Sequence, residues 1–182
     1  MRRAFKLLFT IVIIYFVLQA GTLLLKGTLF PIKYSNYVVE YSKEYNVDPM
    51  LVMAIMKAES NFNEDAQSRK DARGLMQITG STGSWIAEQI GVENFSVDML
   101  KKPQISIMFA CWYLNNLYKE FGNEDLVIAA YNAGRGNVQK WLNNPQYSKD
   151  GENLHYIPFK ETEKYVKKVN TYKNIYISLY RK

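Results

Sequence analysis

The chain has 182 residues, 48% of them hydrophobic, and a formal net charge of +6. That length suits one compact domain with an appendage, and the apolar content excludes wholesale disorder. The charge is unevenly placed: Arg2, Arg3, Lys6 and Lys26 fall in the first 26 residues, which hold none of the 17 acids, so the rest is close to neutral. No concentrated basic patch remains to supply phosphate contacts, and nucleic acid is not an expected partner. A mild positive balance still suits an anionic cell wall.

A single cysteine, Cys111, excludes an intrachain disulfide and a metal site built from several cysteines. It lies in the apolar run Ile107 to Leu114 and reads as a buried structural thiol. His155, the sole histidine, sits in a polar stretch and reads as a surface residue. No metal and no cofactor is expected.

Residues 1–26 read as a membrane anchor. Leu7 to Leu25 carries no charge, and at 1.5 Å per residue these residues span about 28 Å as a helix, close to the bilayer hydrocarbon thickness. Arg2, Arg3 and Lys6 precede the run, so the positive-inside rule puts the N-terminus in the cytoplasm and the rest outside. The expected location is a cell membrane, single-pass, with an extracytoplasmic domain. A cleaved signal peptide is the competing reading. Against it, the run is long for a signal h-region and lacks a small-x-small site. Leu18-Gln19-Ala20-Gly21 is followed by Thr22 where a lipoprotein would have cysteine.

Residues 27–33, with Pro31, read as a linker. Residues 34–182 read as one mainly helical, all-α domain. Tyr34–Tyr45 is an amphipathic helix. Asp48 and Pro49 supply an N-cap and a first-turn proline for a helix to about Glu59. Gly74–Thr79 reads as a turn or helix stub. Ser81 or Thr82 caps a helix through Ile90, ended by Gly91. Pro103 opens a long helix to Phe121, stopped by Gly122. Asn123 caps another through Tyr131, and Gly134 and Gly136 break it before a short helix near Val138–Leu142. Asn143–Tyr156 is a polar loop. Glu161–Leu179 is a last helix with Tyr165, Val169, Tyr172, Tyr176 and Leu179 on one stripe. Neither alternating strands nor internal repeats stand out, so the fold class is a small helical domain.

Glu59 interrupts this pattern. Leu51, Ile55 and Glu59 are four apart and share a helix face, with Val52 and Met56 beside them. A glutamate that continues an apolar stripe is costly unless paired or protonated. Burial raises its pKa, and a helix C-terminus also disfavours the anion. Both favour the protonated state that a general acid needs. Spacing alone leaves open a boundary glutamate reaching solvent or Lys57.

Four motifs follow in order: Glu59-Ser60-Asn61-Phe62-Asn63, Ala72-Arg73-Gly74-Leu75-Met76-Gln77-Ile78, Ala129-Ala130-Tyr131-Asn132-Ala133-Gly134, and the run from Tyr156 to Val166. Together they resemble the catalytic domain of soluble lytic transglycosylases, a goose-type lysozyme-like fold, over roughly Tyr34 to Tyr180. The resemblance implies a membrane-anchored peptidoglycan lytic transglycosylase. Its substrate would be the β-1,4 bond between N-acetylmuramic acid and N-acetylglucosamine in the glycan strands. Glu59 would be the catalytic acid, then the base that deprotonates the muramoyl 6-hydroxyl, giving 1,6-anhydromuramoyl ends. Ser60 is expected to hydrogen-bond near Glu59. Gly74 would let backbone approach the sugar, Met76 would offer an apolar surface and Gln77 a hydrogen bond on the cleft wall. Tyr131 and Asn132 would contact the muramoyl sugar, with Glu161 a second acidic residue of the cleft and Tyr165 its aromatic partner.

Ser68-Arg69-Lys70-Asp71 departs from the family pattern, in which small residues are common there. If Asp71 faced Glu59, water activation and ordinary hydrolysis by a goose-type muramidase would follow. A non-catalytic wall-binding domain is the remaining alternative.

Overall fold

The structure, a computed structural model, describes residues 2–181, without the side chains of residues 3–5. Met1 and Lys182, the ends of the expected ranges, and the Arg3 side chain therefore lie outside the described residues. Eight α-helices are present among them: α1 (Arg2–Leu24), α2 (Ser35–Glu44), α3 (Pro49–Ser60), α4 (Gly80–Ile90), α5 (Pro103–Phe121), α6 (Glu124–Ala133), α7 (Arg135–Leu142) and α8 (Lys160–Tyr180). The domain is mainly helical, as the pattern of apolar stripes and caps implies.

Helix α3 is the hub. Asp48 caps it, accepting from the Met50 N–H at 2.9 Å, and Pro49 occupies its first turn. Leu51 to Met56 are six consecutive buried residues, so this helix is enclosed on every side rather than along one stripe. It packs against α2, α5 and α8, while α6 packs against α5, α7 and α8. The C-terminal half of α8 is clamped by charge. Lys173 Nζ donates to Glu124 at 2.6 and 2.7 Å and lies 3.3 Å from Asp48, and Arg181 also reaches Asp48 at 3.0 Å.

Between α3 and α4 the chain forms a two-stranded antiparallel hairpin, β1 (Ala72–Arg73) and β2 (Ile78–Thr79), pairing Ala72 with Thr79 and Arg73 with Ile78. Residues 74–77 form its turn, within the Gly74–Thr79 stretch expected to be a turn or helix stub, and the strands on either side were not foreseen. Two-residue strands leave too few positions for alternation to register in sequence. The N-cap of α4 is Thr79, whose hydroxyl accepts from the Thr82 N–H, rather than Ser81 or Thr82. A 3-10 turn at Val97–Lys101 was not foreseen.

Among the described residues one helix, Lys6–Leu29, is long and apolar enough to cross a membrane. Residues 7–24 of it are exposed throughout. The segment expected to be a linker is docked onto the domain. A π-helical turn, Leu25–Leu29, extends α1. Phe30 then inserts edge-on against Tyr172 and Tyr176, and Lys57 lies over its ring at 4.8 Å. Tyr180 Oη donates to the Phe30 carbonyl at 2.7 Å and Tyr176 Oη to that of Pro31 at 3.2 Å. The aromatic stripe of α8 is therefore shared between the domain core and the chain entering from α1.

Cys111 is fully buried, and burial pushes its thiol up to about 12. His155 lies exposed in the loop before α8.

Candidate active site

Glu59 stands one residue from the C-terminal end of α3, where the helix emerges from the core into a cleft of about 740 Å³. Past Ser60 the backbone turns sharply through two left-handed residues, Asn61 (φ 49°) and Phe62 (φ 65°). The left-handed region is unfavourable for a residue with a Cβ, and for phenylalanine the strain is local and substantial. Burial of the Phe62 ring, 5% exposed, holds it there and fixes the helix end.

The Glu59 carboxyl is raised from an ordinary 4.5 to about 7, and burial is the dominant cause. Two influences oppose it. Tyr165 Oη donates to Glu59 Oε1 at 2.6 Å, and Lys168 exerts a charge effect while its own ammonium donates to the Ala58 carbonyl at 2.9 Å. The net result is a carboxyl that exchanges its proton near neutrality. Burial beside Glu59 keeps the Tyr165 phenol protonated, so it remains a donor.

Helix α8 lays Thr162, Tyr165 and Lys168 three residues apart along one face. Tyr165 and Lys168 meet the end of α3. Thr162, 2% exposed, donates to Asn132 Oδ1 at 2.8 Å, orienting an amide that lines the cleft. Tyr131, also in the lining, donates its hydroxyl to the Met76 carbonyl at 2.8 Å and so ties α6 to the hairpin turn. Glu161 also lines the cleft and is exposed.

The structure thus brings Glu59, Gln77, Tyr131, Asn132 and Glu161 to one cleft, with Tyr165 behind Glu59. Others of the expected set take different places. The Ser60 hydroxyl donates to the Leu75 carbonyl at 2.8 Å and stitches α3 to the hairpin turn. The Met76 side chain is fully buried in the core rather than on the cleft wall. Gly74 has φ 73°, and a Cβ there would stand 1.9 Å from the Leu100 carbonyl oxygen. Its bareness serves packing against the 3-10 turn instead of approach to a ligand. Gln77 Nε2 donates to the carbonyls of Ala66 and Gly74 at 3.0 Å each, so its amide nitrogen braces the loop from within the cleft wall.

Asp71 does not line the cleft. Its Oδ1 accepts from Gln67 Nε2 at 3.0 Å and from Arg73 Nε and Nη2 at 3.1 and 3.0 Å. Arg73 in turn pairs with Asp98 at 2.6 Å. The charge that made Asp71 conspicuous in the sequence is consumed in bracing the hairpin.

Sequence reasoning missed Thr162 and Lys168, although both fall three residues from Tyr165 on a helix already drawn. It also passed over Asn137, Phe159 and Lys160, which line the cleft with Arg69 and Lys70. Phe159 and Lys160 fall inside the run from Tyr156 to Val166, but nothing in the local pattern marks Asn137.

Residues 36–154 match a family model described as the transglycosylase SLT domain. The soluble lytic murein transglycosylase of Salmonella typhimurium (strain LT2) is 33% identical over 150 residues, covering 81% of this chain and 23% of that protein. The membrane-bound lytic murein transglycosylase C of Shigella sonnei is 37% identical over 122 residues, 62% of this chain and 34% of its own. Among solved structures, an inactive mutant of the lytic transglycosylase Slt from Pseudomonas aeruginosa superimposes with a TM-score of 0.72 and 32% identity, over 82% of this chain and 24% of that one. The chain belongs to the transglycosylase SLT domain family. It spans about a quarter to a third of the length of these curated relatives.

Proposed function

We propose that this protein is a membrane-anchored lytic transglycosylase that cuts peptidoglycan glycan strands between N-acetylmuramic acid and N-acetylglucosamine. The observation that carries the proposal is Glu59. It is a desolvated carboxyl poised near neutrality, gripped by a tyrosine and set at the floor of a cleft, in a chain whose relatives are named for this activity.

In the proposed reaction the protonated Glu59 gives its proton to the glycosidic oxygen as the bond from that oxygen to muramoyl C1 breaks. The N-acetylglucosamine hydroxyl leaves. The Glu59 carboxylate then takes the proton of the muramoyl 6-hydroxyl, and that oxygen bonds to C1. The product is a 1,6-anhydromuramoyl end, Glu59 is again protonated, and no water is consumed. A pKa near ambient pH suits one group that must serve first as acid and then as base. Tyr165 and Lys168 stabilise the carboxylate between these two steps. Tyr131 and Asn132 would hold the muramoyl sugar, with Gln77 and Glu161 on the walls. The engagement of Asp71 with Arg73 and Gln67 favours this internal route over hydrolysis, since that carboxylate does not line the cleft.

The α1 helix would anchor the protein, with Arg2, Arg3 and Lys6 cytoplasmic and the domain on the wall side. Docking of Phe30 under Tyr172 and Tyr176 would then hold the cleft close to the membrane.

Glu59→Gln tests the reading. Loss of strand cleavage by at least about a hundredfold, with thermal unfolding still cooperative, is the expected result. Cleavage retained at the wild-type rate would overturn it and favour a wall-binding domain.

A further inference from the structure

The junction between α1 and α2 and the catalytic end of α3 meet the same stretch of α8. Tyr165, Lys168, Tyr172 and Tyr176 are spaced three and four apart, so they share one face of that helix. At one end of this stripe Tyr165 donates to Glu59 Oε1 at 2.6 Å. At the other end Phe30 stands edge-on to Tyr172 and Tyr176, with ring centroids 5.5 and 5.4 Å away. Lys168 and Tyr172 lie between, and the activity proposed above gives Tyr172 no role.

Two ammonium groups converge on this middle ground. Lys168 Nζ donates to the Ala58 carbonyl at 2.9 Å and lies 5.7 Å from the centre of the Tyr172 ring. Lys57 Nζ lies 5.4 Å from that ring and 4.8 Å from the ring of Phe30, and it donates to Asn61 Oδ1 at 3.1 Å. Both cations therefore sit at the C-terminal end of α3, where the helix dipole favours them, on acceptors either side of Glu59. Burial, and then the neighbouring Lys168, lower the Lys57 pKa. Like charges this close stay together only where fixed groups hold them. Lys168 is exposed, and fixing a lysine costs rotamer freedom of the same order as one surface hydrogen bond returns. The Ala58 carbonyl alone does not hold it; the Tyr172 face supplies the rest. Phe30, against the edge of Tyr172, keeps that face in place.

We propose that Phe30 and Tyr172 are positioning residues for the reaction at Glu59: docking of the junction fixes the Lys168 ammonium at the end of α3, so the catalytic end is fully set only while the junction is docked. This rests on the glycan-strand reading above and adds a control of that same site from the membrane side. The groups that face Glu59 are Tyr165 and Lys168 on α8 and Tyr131 on α6. Arg69, Lys70, Lys160 and Glu161 share its cleft. Apart from Lys168, all of these are common to every variant below, so a difference between variants reads Lys168. Its charge favours the Glu59 carboxylate. Loosening it therefore raises the Glu59 pKa and moves the basic limb of activity to higher pH.

The test uses the full-length chain in detergent micelles and reads Glu59 directly, by carbon-13 NMR of protein labelled at the glutamate side-chain carboxyls, with Glu59→Gln identifying the signal. The pH profile of kcat for strand cleavage is recorded in parallel. In Phe30→Ala, Tyr172→Leu and Lys168→Met the titration midpoint rises by roughly half a pH unit, a small shift because Lys168 is exposed and screened. The basic limb of kcat moves up with it, and KM stays unchanged. The shift in Phe30→Ala/Lys168→Met is no larger than in Lys168→Met alone. Tyr172→Phe keeps the ring and titrates as the wild type does. Tyr172→Leu reads the same relay where Phe30→Ala is too unstable to titrate. An unmoved midpoint in any of the three that folds overturns the inference. So does a double-variant shift equal to the sum of the two singles, or a Tyr172→Phe midpoint that moves as far as that of Tyr172→Leu. Wild-type protein that cleaves no strands, with the midpoints moving as stated, sinks the glycan reading alone and leaves the coupling between junction and Glu59 standing.

Discussion

Replacing Glu59 by glutamine isolates what it costs to keep a carboxylate at the cleft floor. The carboxyl is raised from 4.5 to about 7, chiefly by burial. The folded protein therefore holds this proton more tightly than the unfolded chain does. Stability from this group is full below 4.5 and is lost as pH rises through about 7. At about 1.4 kcal/mol per pH unit, the loss across that window is roughly 3 kcal/mol. Glutamine is close in shape, neutral at every pH and still able to accept from the Tyr165 hydroxyl. The variant should therefore gain on the wild type by roughly 3 kcal/mol between about pH 4 and about pH 9. Urea unfolding of both full-length proteins in detergent, followed by tryptophan fluorescence across that range, measures the difference and cancels every other titrating group. A difference that stays flat with pH would refute the desolvation argument. A swing in the opposite direction would mean that Tyr165 and Lys168 outweigh burial and that Glu59 is an ordinary ionised carboxylate.

Three further changes probe the surroundings. Tyr165→Phe removes a hydrogen bond to the carboxylate worth about 1.5–3 kcal/mol. The Glu59 pKa then rises further, and the basic limb of the activity profile moves up by about one to two pH units; an unmoved limb would deny Tyr165 its positioning role. Gly74→Ala places a Cβ against the Leu100 carbonyl at a left-handed φ and should destabilise the domain by at least about 2 kcal/mol, read as a lower urea midpoint. Phe30→Ala opens a hole under Tyr172 and Tyr176 and should cost about 3 kcal/mol. Faster proteolysis between α1 and α2 would accompany it, whereas unchanged protection would show that the junction is not held by this ring.

Much of the fold was legible because its signals are local. Asp48-Pro49, Gly91, Pro103 and Gly122 mark helix ends by capping and φ preference, and the structure places α3, α4 and α5 accordingly. The hairpin was not legible. Its strands are two residues long, and its shape comes from Gly74 fitting against the Leu100 carbonyl, a contact with a segment some 26 residues away in sequence. Helix α3 read as one-faced because Glu59 and Lys57 break its apolar run, yet the run before them is enclosed by α2, α5 and α8. In the cleft, Glu59, Tyr131, Asn132 and Glu161 could be placed from motifs. The destinations of Met76 and Gly74 could not, since core and cleft-wall positions alternate within a single turn. Asp71 shows the same limit from the other side. Its charge was visible in the sequence, but its partners, Arg73 and Gln67, decide that it braces the hairpin.

The central claim is that Glu59 works alone and hands the muramoyl 6-hydroxyl, not water, to the anomeric carbon. Mass spectrometry of purified sacculi digested by the full-length protein in water enriched in oxygen-18 tests this directly. New glycan ends that are 1,6-anhydromuramoyl and carry no label are the predicted result. Reducing ends with oxygen-18 at C1 would contradict it and identify the protein as a hydrolase.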